Sequence, residues 1–148
     1  MLTRIYIVYY FNVLFPDNLV AKRSMKNHVV TGIVISGKMR GKDLGFPTAN
    51  IALSEDIEEG IYISRTDAGS GWLPSVTFIG AAETFGEHDI KSETYVLDFN
   101  ENLYGKTLAV ELLKKIRGSE AFESVEKLID RMNEDVRKTR EYFQEASD

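Results

Sequence analysis

The sequence has no cysteine and only two histidines among its 148 residues. The lack of cysteine excludes disulfide bonds, thiolate zinc ligands and a thiol nucleophile. His28 and His88 lie far apart in the sequence, without the spacing of a zinc site or a catalytic triad, so hydrogen bonding at the surface is the simpler interpretation of both. A reducing compartment is the default for such a chain, and we expect the protein to be cytoplasmic.

Excess positive charge and long apolar runs are also lacking. Lysine and arginine number 18 against 23 acidic residues, for a net charge of −5. Nucleic-acid binders usually carry a basic face, so we expect no nucleic-acid partner. The apolar run at residues 5–15 is too short for a bilayer, which needs about 20 residues, and no small-residue cleavage site precedes Pro16. We therefore interpret it as a packed or interacting segment and expect no membrane partner.

Six short segments rich in β-branched and aromatic residues are separated by turn residues rather than by helical segments. They predict strands at residues 29–36, 50–53, 60–65, 73–80, 92–99 and 107–113. This spacing favours an antiparallel barrel or sandwich over βαβ units. The length suits one domain with a single core. We assign this domain to residues 29–148 and an N-terminal extension, whose structure the pattern does not decide, to residues 1–28.

The spacing of the apolar residues changes after residue 124. Apolar residues recur at helical spacing from Val125 to Phe143, with charged residues between them. Ser124 is a suitable N-cap for such a segment. We therefore predict one long amphipathic helix that packs against the strands.

The segment between the first two predicted strands is rich in glycine and in basic side chains. Glycine lets backbone N–H groups approach an anion closely, and basic side chains add positive charge. The segment lacks the Gly-Lys-Ser/Thr ending and the strand–loop–helix context of a P-loop. A phosphate-binding loop and a mobile hairpin both remain possible interpretations. Its glycines and basic residues are Gly37, Lys38, Arg40, Gly41, Lys42 and Gly45.

Thr48 and Asn50 follow this segment directly. Pro47 restricts the backbone before them, and two residues that are two apart in a strand share a face. A hydroxyl and an amide oxygen suit a magnesium ion that keeps water and substrate phosphates as its other ligands. Both side chains can equally bond to the backbone of a turn, and the residues alone leave the two interpretations open.

Glu93 lies on the fifth predicted strand. It shares a face with Tyr95, whereas Ser92 and Thr94 lie on the other face. The Glu93 face is the more apolar, so we predict that it faces the core and that Glu93 lies at its mouth, where a carboxylate can act as a general base. A solvated strand end is the alternative. Glu111 is out of phase with its apolar neighbours on the sixth strand, and we predict that it is solvated.

Several short motifs occur in a fixed order between residues 29 and 136. They include Leu44-Gly45-Phe46-Pro47-Thr48-Ala49-Asn50, Gly60-Ile61-Tyr62, Thr84-Phe85-Gly86, Glu93 followed by Leu97-Asp98-Phe99, Leu103-Tyr104-Gly105, Ile116-Arg117 and Phe122-Glu123-Ser124. In this order they resemble the riboflavin kinase (flavokinase) family, which occurs alone or as the C-terminal module of bifunctional bacterial FAD synthetases. We expect no counterpart of the nucleotidyltransferase module of those enzymes before Val29.

The resemblance implies a mainly β fold, a six-stranded antiparallel Greek-key barrel with a long C-terminal α-helix. It also implies an enzyme that transfers the γ-phosphoryl group of ATP to the ribityl 5′-hydroxyl of riboflavin, giving FMN and ADP, with Mg²⁺ as cofactor. In such an enzyme Glu93 is the general base, Thr48 and Asn50 hold the metal, and Arg117 and Phe122 contact the flavin. The residues expected at ATP and its phosphates are Gly37, Lys38, Gly41, Lys42, Gly45, Thr48 and Asn50.

The expected partners are therefore riboflavin and ATP, bound by a monomer. One alternative is a catalytically inactive module that binds a flavin or a nucleotide and serves a regulatory role. Another is a small barrel that binds nucleic acid, against which the net charge of −5 argues.

Overall fold

The computed structural model describes residues 28–37, 40–81 and 90–147. Six strands form one sheet in the order β1-β6-β3-β4-β5-β2. Residues 1–27, which contain nearly all of the predicted extension, lie outside the described residues. The strands are β1 His28–Ile33, β2 Ala49–Ala52, β3 Gly60–Asp67, β4 Trp72–Ala81, β5 Ile90–Val96 and β6 Thr107–Arg117, and the helices are α1 Arg40–Asp43 and α2 Val125–Glu145.

All paired strands are antiparallel, and the sheet curves into a nearly closed barrel. Strands β3, β4 and β5 are consecutive neighbours, and β6 returns to lie beside β3, which is the Greek-key order. The barrel closes where the chain after β1 reaches β2, because the Ile35 N–H donates to the Asn50 carbonyl oxygen at 2.9 Å. The prediction of a six-stranded antiparallel barrel is confirmed.

The interior of the barrel is apolar on one side and lined by hydroxyl groups on the other. The apolar side is built mainly from β1, β2 and β6, with Val30, Ile51, Leu108, Val110 and Leu112 buried in one cluster. The hydroxyl groups come from β3, β4 and β5 and bond to one another, so that burying them leaves few polar groups unpaired. The bonded pairs are Ser64–Ser75 and Ser64–Thr77 at 2.7 Å, Thr66–Ser75 at 2.8 Å and Thr77–Thr94 at 2.9 Å.

The orientation of β5 differs from the prediction. Ser92 and Thr94 are buried in the interior, whereas Glu93 and Tyr95 lie half-buried on the outer wall. The prediction that the Glu93 face points into the core is therefore wrong. The physical reason is that the Thr94 hydroxyl is bonded to that of Thr77, so small polar side chains fill the interior at this strand.

Glu111 also differs from the prediction, because it is only 6% exposed although it points away from the barrel interior. The Arg65 Nε–H group donates to its carboxylate from the neighbouring strand β3. The prediction of a solvated side chain is wrong, since an ion pair makes burial of this carboxylate on the outer face possible.

Helix α2 covers the outer face of β3 and β4. Ile61 and Ile63 of β3 alternate with the interior Tyr62 and are nevertheless buried, which is consistent with the contact between α2 and this strand. The helix begins as predicted, with the Ser124 hydroxyl accepting the Lys127 N–H at 3.2 Å. No helix in the described ranges has the length and apolar character needed to cross a membrane.

Candidate active site

Asn50 and Glu93 are direct cross-strand partners in the pairing of β2 with β5. Side chains directly opposite each other in an antiparallel pair lie on the same face, with their Cβ atoms about 4.5–5.5 Å apart. Ala49 and Ile51, on either side of Asn50, belong to the interior cluster, so Asn50 and Glu93 point outward. The register therefore brings a carboxamide and a carboxylate together on the outer wall.

Asn50 is largely covered in spite of its place on the outer wall, since it is only 8% exposed. The chain that follows β1 crosses over it, held by the bond between the Ile35 N–H and the Asn50 carbonyl oxygen. Gly37 then lies against the Asn50 carboxamide, since a Cβ atom at Gly37 would fall 2.3 Å from Asn50 Nδ2. The predicted phosphate residues Gly37 and Asn50 are thus in direct contact.

Thr48 precedes β2 and is half-buried. Its spacing of two residues from Asn50 predicts that its hydroxyl lies on the same side as the Asn50 carboxamide. Phe46 is buried and makes an edge-on contact with Tyr95 of β5, with ring centroids 5.4 Å apart. This contact holds the segment that leads into Thr48 against the strand that carries Glu93. The structure thus pairs Asn50 with Glu93, and the place of Thr48 beside them stays a prediction.

The basic, glycine-rich segment between β1 and β2 contains a short helix, α1, that the sequence pattern did not predict. Lys42 is exposed within this helix, and its carbonyl oxygen accepts the Gly45 N–H at 3.1 Å. Gly45 has a φ of 85°, a left-handed conformation that favours glycine. Gly41 lies within α1, and Lys38 lies outside the described residues. The turn after α1 thus brings the chain from the basic segment to Phe46.

The donor set at Asn50 fits a hard divalent cation. The described part of the chain has no cluster of three or more histidine, cysteine, aspartate or glutamate residues that could hold a metal ion. Thr48 and Asn50 offer neutral oxygen atoms beside the Glu93 carboxylate. Magnesium commonly takes few protein ligands and keeps water and phosphate oxygens as the rest of its shell. The residues therefore fit magnesium bound together with a nucleotide.

Arg117, a predicted flavin contact, forms a buried ion pair with Asp135 of α2. Its Nε–H donates to both carboxylate oxygens at 3.0 and 3.1 Å, and its Nη2–H donates to Oδ2 at 2.7 Å. The two side chains are 9% and 3% exposed, and Nη1–H donates to the Gly118 carbonyl oxygen at 3.1 Å. Arg117 thus ties α2 to the end of β6, and its contact with a flavin stays a prediction.

Phe122, the other predicted flavin contact, is half-buried in the connection between β6 and α2. It borders an open depression of about 320 Å³. Arg131 lines the same depression and donates to Glu120 at 2.8 Å and to Glu134 at 2.7 Å, and these two carboxylates raise the pKa of its guanidinium. Charged residues of the connection and of α2 therefore form most of the surroundings of Phe122.

A larger crevice, of about 670 Å³, lies between the end of β5 and the C-terminal half of α2. Asp98 and Arg140 face each other across it, with two N–H···O bonds of 2.7 Å. Asn50 and Glu93 are absent from its lining, so this crevice is separate from the paired residues on the outer wall.

Two contacts at these sites escaped the sequence analysis. Tyr95 contacts Phe46. Strand alternation places Tyr95 on the same face of β5 as Glu93, and this was the available signal that Tyr95 lies near the site. Asp135 is only 2% exposed, although it is a charged residue within a helix. Its helical phase relative to Leu128 and Met132 was the available signal, since the three positions share one stripe.

The fold is a small antiparallel barrel in which an amide and a carboxylate, Asn50 and Glu93, are paired on the outer wall. The chain matches the model of the flavokinase family, described as riboflavin kinase, over residues 24–143. The chain therefore belongs to the riboflavin kinase family.

Curated relatives share about a third of their residues with this chain. The bifunctional riboflavin kinase/FMN adenylyltransferase of Escherichia coli K12 is 33% identical over 135 residues, which are 88% of this chain and 43% of that protein. The trifunctional protein RibF/MnmA of Mycoplasmoides gallisepticum is 32% identical over 76% of this chain and 18% of its own length. The RNA-binding riboflavin kinase RibR of Bacillus subtilis is 32% identical over 73% of this chain and 48% of its own. The chain thus spans less than half the length of each of these relatives.

Two solved structures are similar in fold. A crystal structure described as a macrolide-efflux protein from Streptococcus pneumoniae aligns with a TM-score of 0.70 and 30% identity, over 77% of this chain and 38% of that one. The riboflavin kinase of Trypanosoma brucei aligns with a TM-score of 0.56 and 25% identity, over 78% of this chain and 79% of that one. Both alignments cover more than three quarters of this chain, although the two proteins carry different names.

Proposed function

We propose that this chain is a riboflavin kinase that transfers the γ-phosphoryl group of ATP to the ribityl 5′-hydroxyl of riboflavin. The observation that carries the proposal is the direct pairing of Asn50 with Glu93. Phosphoryl transfer needs in-line positioning and neutralisation of phosphate charge more than covalent chemistry. A cation-binding amide beside a carboxylate that accepts a proton meets both needs.

In this proposal Glu93 accepts the proton of the 5′-hydroxyl as its oxygen forms a bond to the γ-phosphorus. The bond from the γ-phosphorus to the bridging oxygen of ADP breaks, and FMN and ADP are released. Thr48 and Asn50 would hold Mg²⁺ and the nucleotide phosphates, and the cation, when bound, would neutralise phosphate charge. Lys42 adds positive charge from α1.

The flavin would lie at the connection between β6 and α2, where Phe122 borders an open depression. An aromatic side chain suits a flavin ring, because flat π-systems stack or pack edge to face. Arg117 begins this connection and is the second proposed flavin contact. Its ion pair with Asp135 holds the connection against α2, which would keep the flavin site in one conformation.

Incubation of the protein with riboflavin, ATP and Mg²⁺ tests the proposal. We expect FMN and ADP in equal amounts by chromatography, and no FMN when a chelator removes the metal. Riboflavin that binds without turnover would favour the inactive, regulatory module instead. Neither binding nor turnover would contradict both interpretations.

We also propose that the chain binds no nucleic acid, on the basis of its net charge of −5. The relative named RNA-binding riboflavin kinase makes this proposal worth a direct test. Because phosphate contacts are strongest at low salt, an electrophoretic shift assay with RNA at low ionic strength should show no complex. A monomeric state and a cytoplasmic location stay predictions from the sequence, and light scattering after size exclusion tests the first.

A further inference from the structure

We propose that Gly37 is a positioning residue that acts through Asn50, by leaving the space that the Asn50 carboxamide occupies. A Cβ atom at Gly37 would lie 2.3 Å from Nδ2, 2.8 Å from Cγ and 3.2 Å from Oδ1 of Asn50. All three distances are shorter than an ordinary van der Waals contact. Gly37 therefore leaves no room for a side chain beside the Asn50 carboxamide.

The requirement for glycine at this position is one of space and not of backbone conformation. Gly37 is absent from the residues with a left-handed φ, which include Gly45 at 85° and Gly105 at 76°. An L-residue could adopt the Gly37 backbone without strain. A side chain at position 37 would instead overlap with the Asn50 carboxamide.

The backbone that leads to Gly37 and the strand β2 that carries Asn50 are both held in place. The Ile35 N–H donates to the Asn50 carbonyl oxygen, and Asn50 is paired in register with Glu93. Ala49 and Ile51 anchor β2 in the interior. Since the strand cannot shift without disturbing the core, a methyl group at Gly37 would make the carboxamide rotate about its own χ angles. Gly37 thus sets the direction in which the Asn50 oxygen points.

The consequence for the reaction rests on the proposed function, whereas the packing consequence does not. If the Asn50 oxygen helps to hold the cation and the phosphates, its rotation should weaken binding of Mg·ATP and leave riboflavin binding unchanged. This role differs from a direct contact between the Gly37 backbone and a phosphate. The two roles can be distinguished experimentally. The effect of Gly37 on the Asn50 carboxamide disappears when Asn50 is replaced by alanine, whereas a direct contact with a phosphate does not.

The packing claim is tested by NMR on a ¹⁵N-labelled protein. The side-chain NH₂ signals of Asn50 are assigned by their loss in Asn50→Ala, and we expect them to shift in Gly37→Ala. Ser70→Ala is the control, because Ser70 is exposed in the turn between β3 and β4 and is not among the residues proposed to bind ATP or riboflavin. Unchanged Asn50 signals in Gly37→Ala would overturn the proposal.

The functional claim is tested by a double-mutant cycle in the FMN assay. We expect Gly37→Ala to raise KM for Mg·ATP about 10- to 100-fold, the range for groups that orient a metal ligand, with unchanged Kd for riboflavin. The same change in the Asn50→Ala background should have no further effect, and Ser70→Ala should be silent in both backgrounds. An equal effect in both backgrounds, or no effect on KM, would overturn the positioning role.

Lack of FMN formation by the unmodified protein would instead refute the proposed function, while the NMR result would still decide the packing claim.

Discussion

Asn50 of β2 and Glu93 of β5 are paired across the strands by a register that the interior of the barrel determines. Ala49 and Ile51 lie opposite Thr94 and Ser92, and all four are buried. A slip of one residue would turn every side chain of a strand to the opposite face. The core therefore specifies which polar groups meet on the outer wall, and the pairing of amide with carboxylate is a consequence of packing.

Replacement of Glu93 by glutamine should abolish most of the turnover and leave riboflavin binding intact. Glutamine keeps the size and polarity of the side chain but cannot accept the hydroxyl proton. A positioned general base contributes about 10²- to 10⁴-fold to a rate, so we expect kcat to fall within this range. FMN formation measures kcat, and quenching of flavin fluorescence measures riboflavin binding.

Glu55→Gln is the matched control for this change, because Glu55 is an exposed glutamate in the segment that follows β2. It should leave both kcat and riboflavin binding unchanged. A Glu93→Gln protein with activity close to that of the original would show that Glu93 is not the base.

The strands, the helix α2 and its N-cap were predictable from the sequence because local signals specify them. Turn residues separate the strands, and the change to a period of 3.6 begins at Ser124, where the structure places the cap. The grouping of Thr48, Asn50 and Glu93 depended on the family resemblance. No local pattern indicates that β2 pairs with β5, because 40 residues separate the starts of these strands.

The face of β5 and the ion pairs were not predictable, because they depend on partners from distant strands. Thr94 is buried since Thr77 bonds to it, and Glu111 is buried since Arg65 donates to it. Hydrophobicity alone assigns such residues to solvent. The helical phase of Asp135 could have indicated that it lies on the packed side of α2, but its pairing with Arg117 was not predictable, since only the fold brings the two together.

Ser92 offers a test of the polar interior, because its buried Oγ has no hydrogen-bond partner among the described residues. An unsatisfied buried hydroxyl carries a desolvation cost of about 1–3 kcal/mol. We therefore expect Ser92→Ala to raise the free energy of unfolding by about 1 kcal/mol, measured by denaturant titration. Thr94→Val is the comparison, since it removes the bond to Thr77 and should lower that free energy by about 0.5–1.5 kcal/mol. A loss of stability in Ser92→Ala would contradict the expectation.

Acid should destabilise the protein through Glu134 of α2. Hydrogen bonds from Lys138 and Arg131 lower the pKa of its carboxyl group from 4.5 to about 2. Since the folded state favours the carboxylate, the stabilisation is fully present above pH 4.5 and is lost as the pH falls toward 2. The melting temperature should therefore fall more steeply over this range in the original protein than in Glu134→Gln. Salt at 1 M screens exposed charges and should reduce the difference, and equal slopes at low salt would contradict the expectation.

The buried pair of Arg117 and Asp135 should contribute far more to stability than an exposed pair on the same helix. Asp135→Asn leaves a buried guanidinium without its counter-charge, a change that typically costs about 3–5 kcal/mol. Arg137→Gln is the control, because Arg137 and Glu141 are 60% and 50% exposed and such a pair is worth less than about 1 kcal/mol. Denaturant titration measures both changes, and similar losses in the two variants would contradict the expectation.

The same pair separates the two roles considered for Arg117. Arg117→Lys keeps the charge but loses the planar fork that bonds to both oxygens of Asp135, so it should also destabilise the docking of α2. If the guanidinium contacts riboflavin as well, Arg117→Lys should raise the Kd for riboflavin more than Asp135→Asn does, because only the first change alters the contacting group. Fluorescence titration at a temperature where both variants are folded measures this difference. Equal Kd values would show that Arg117 serves the docking of α2 and not the flavin.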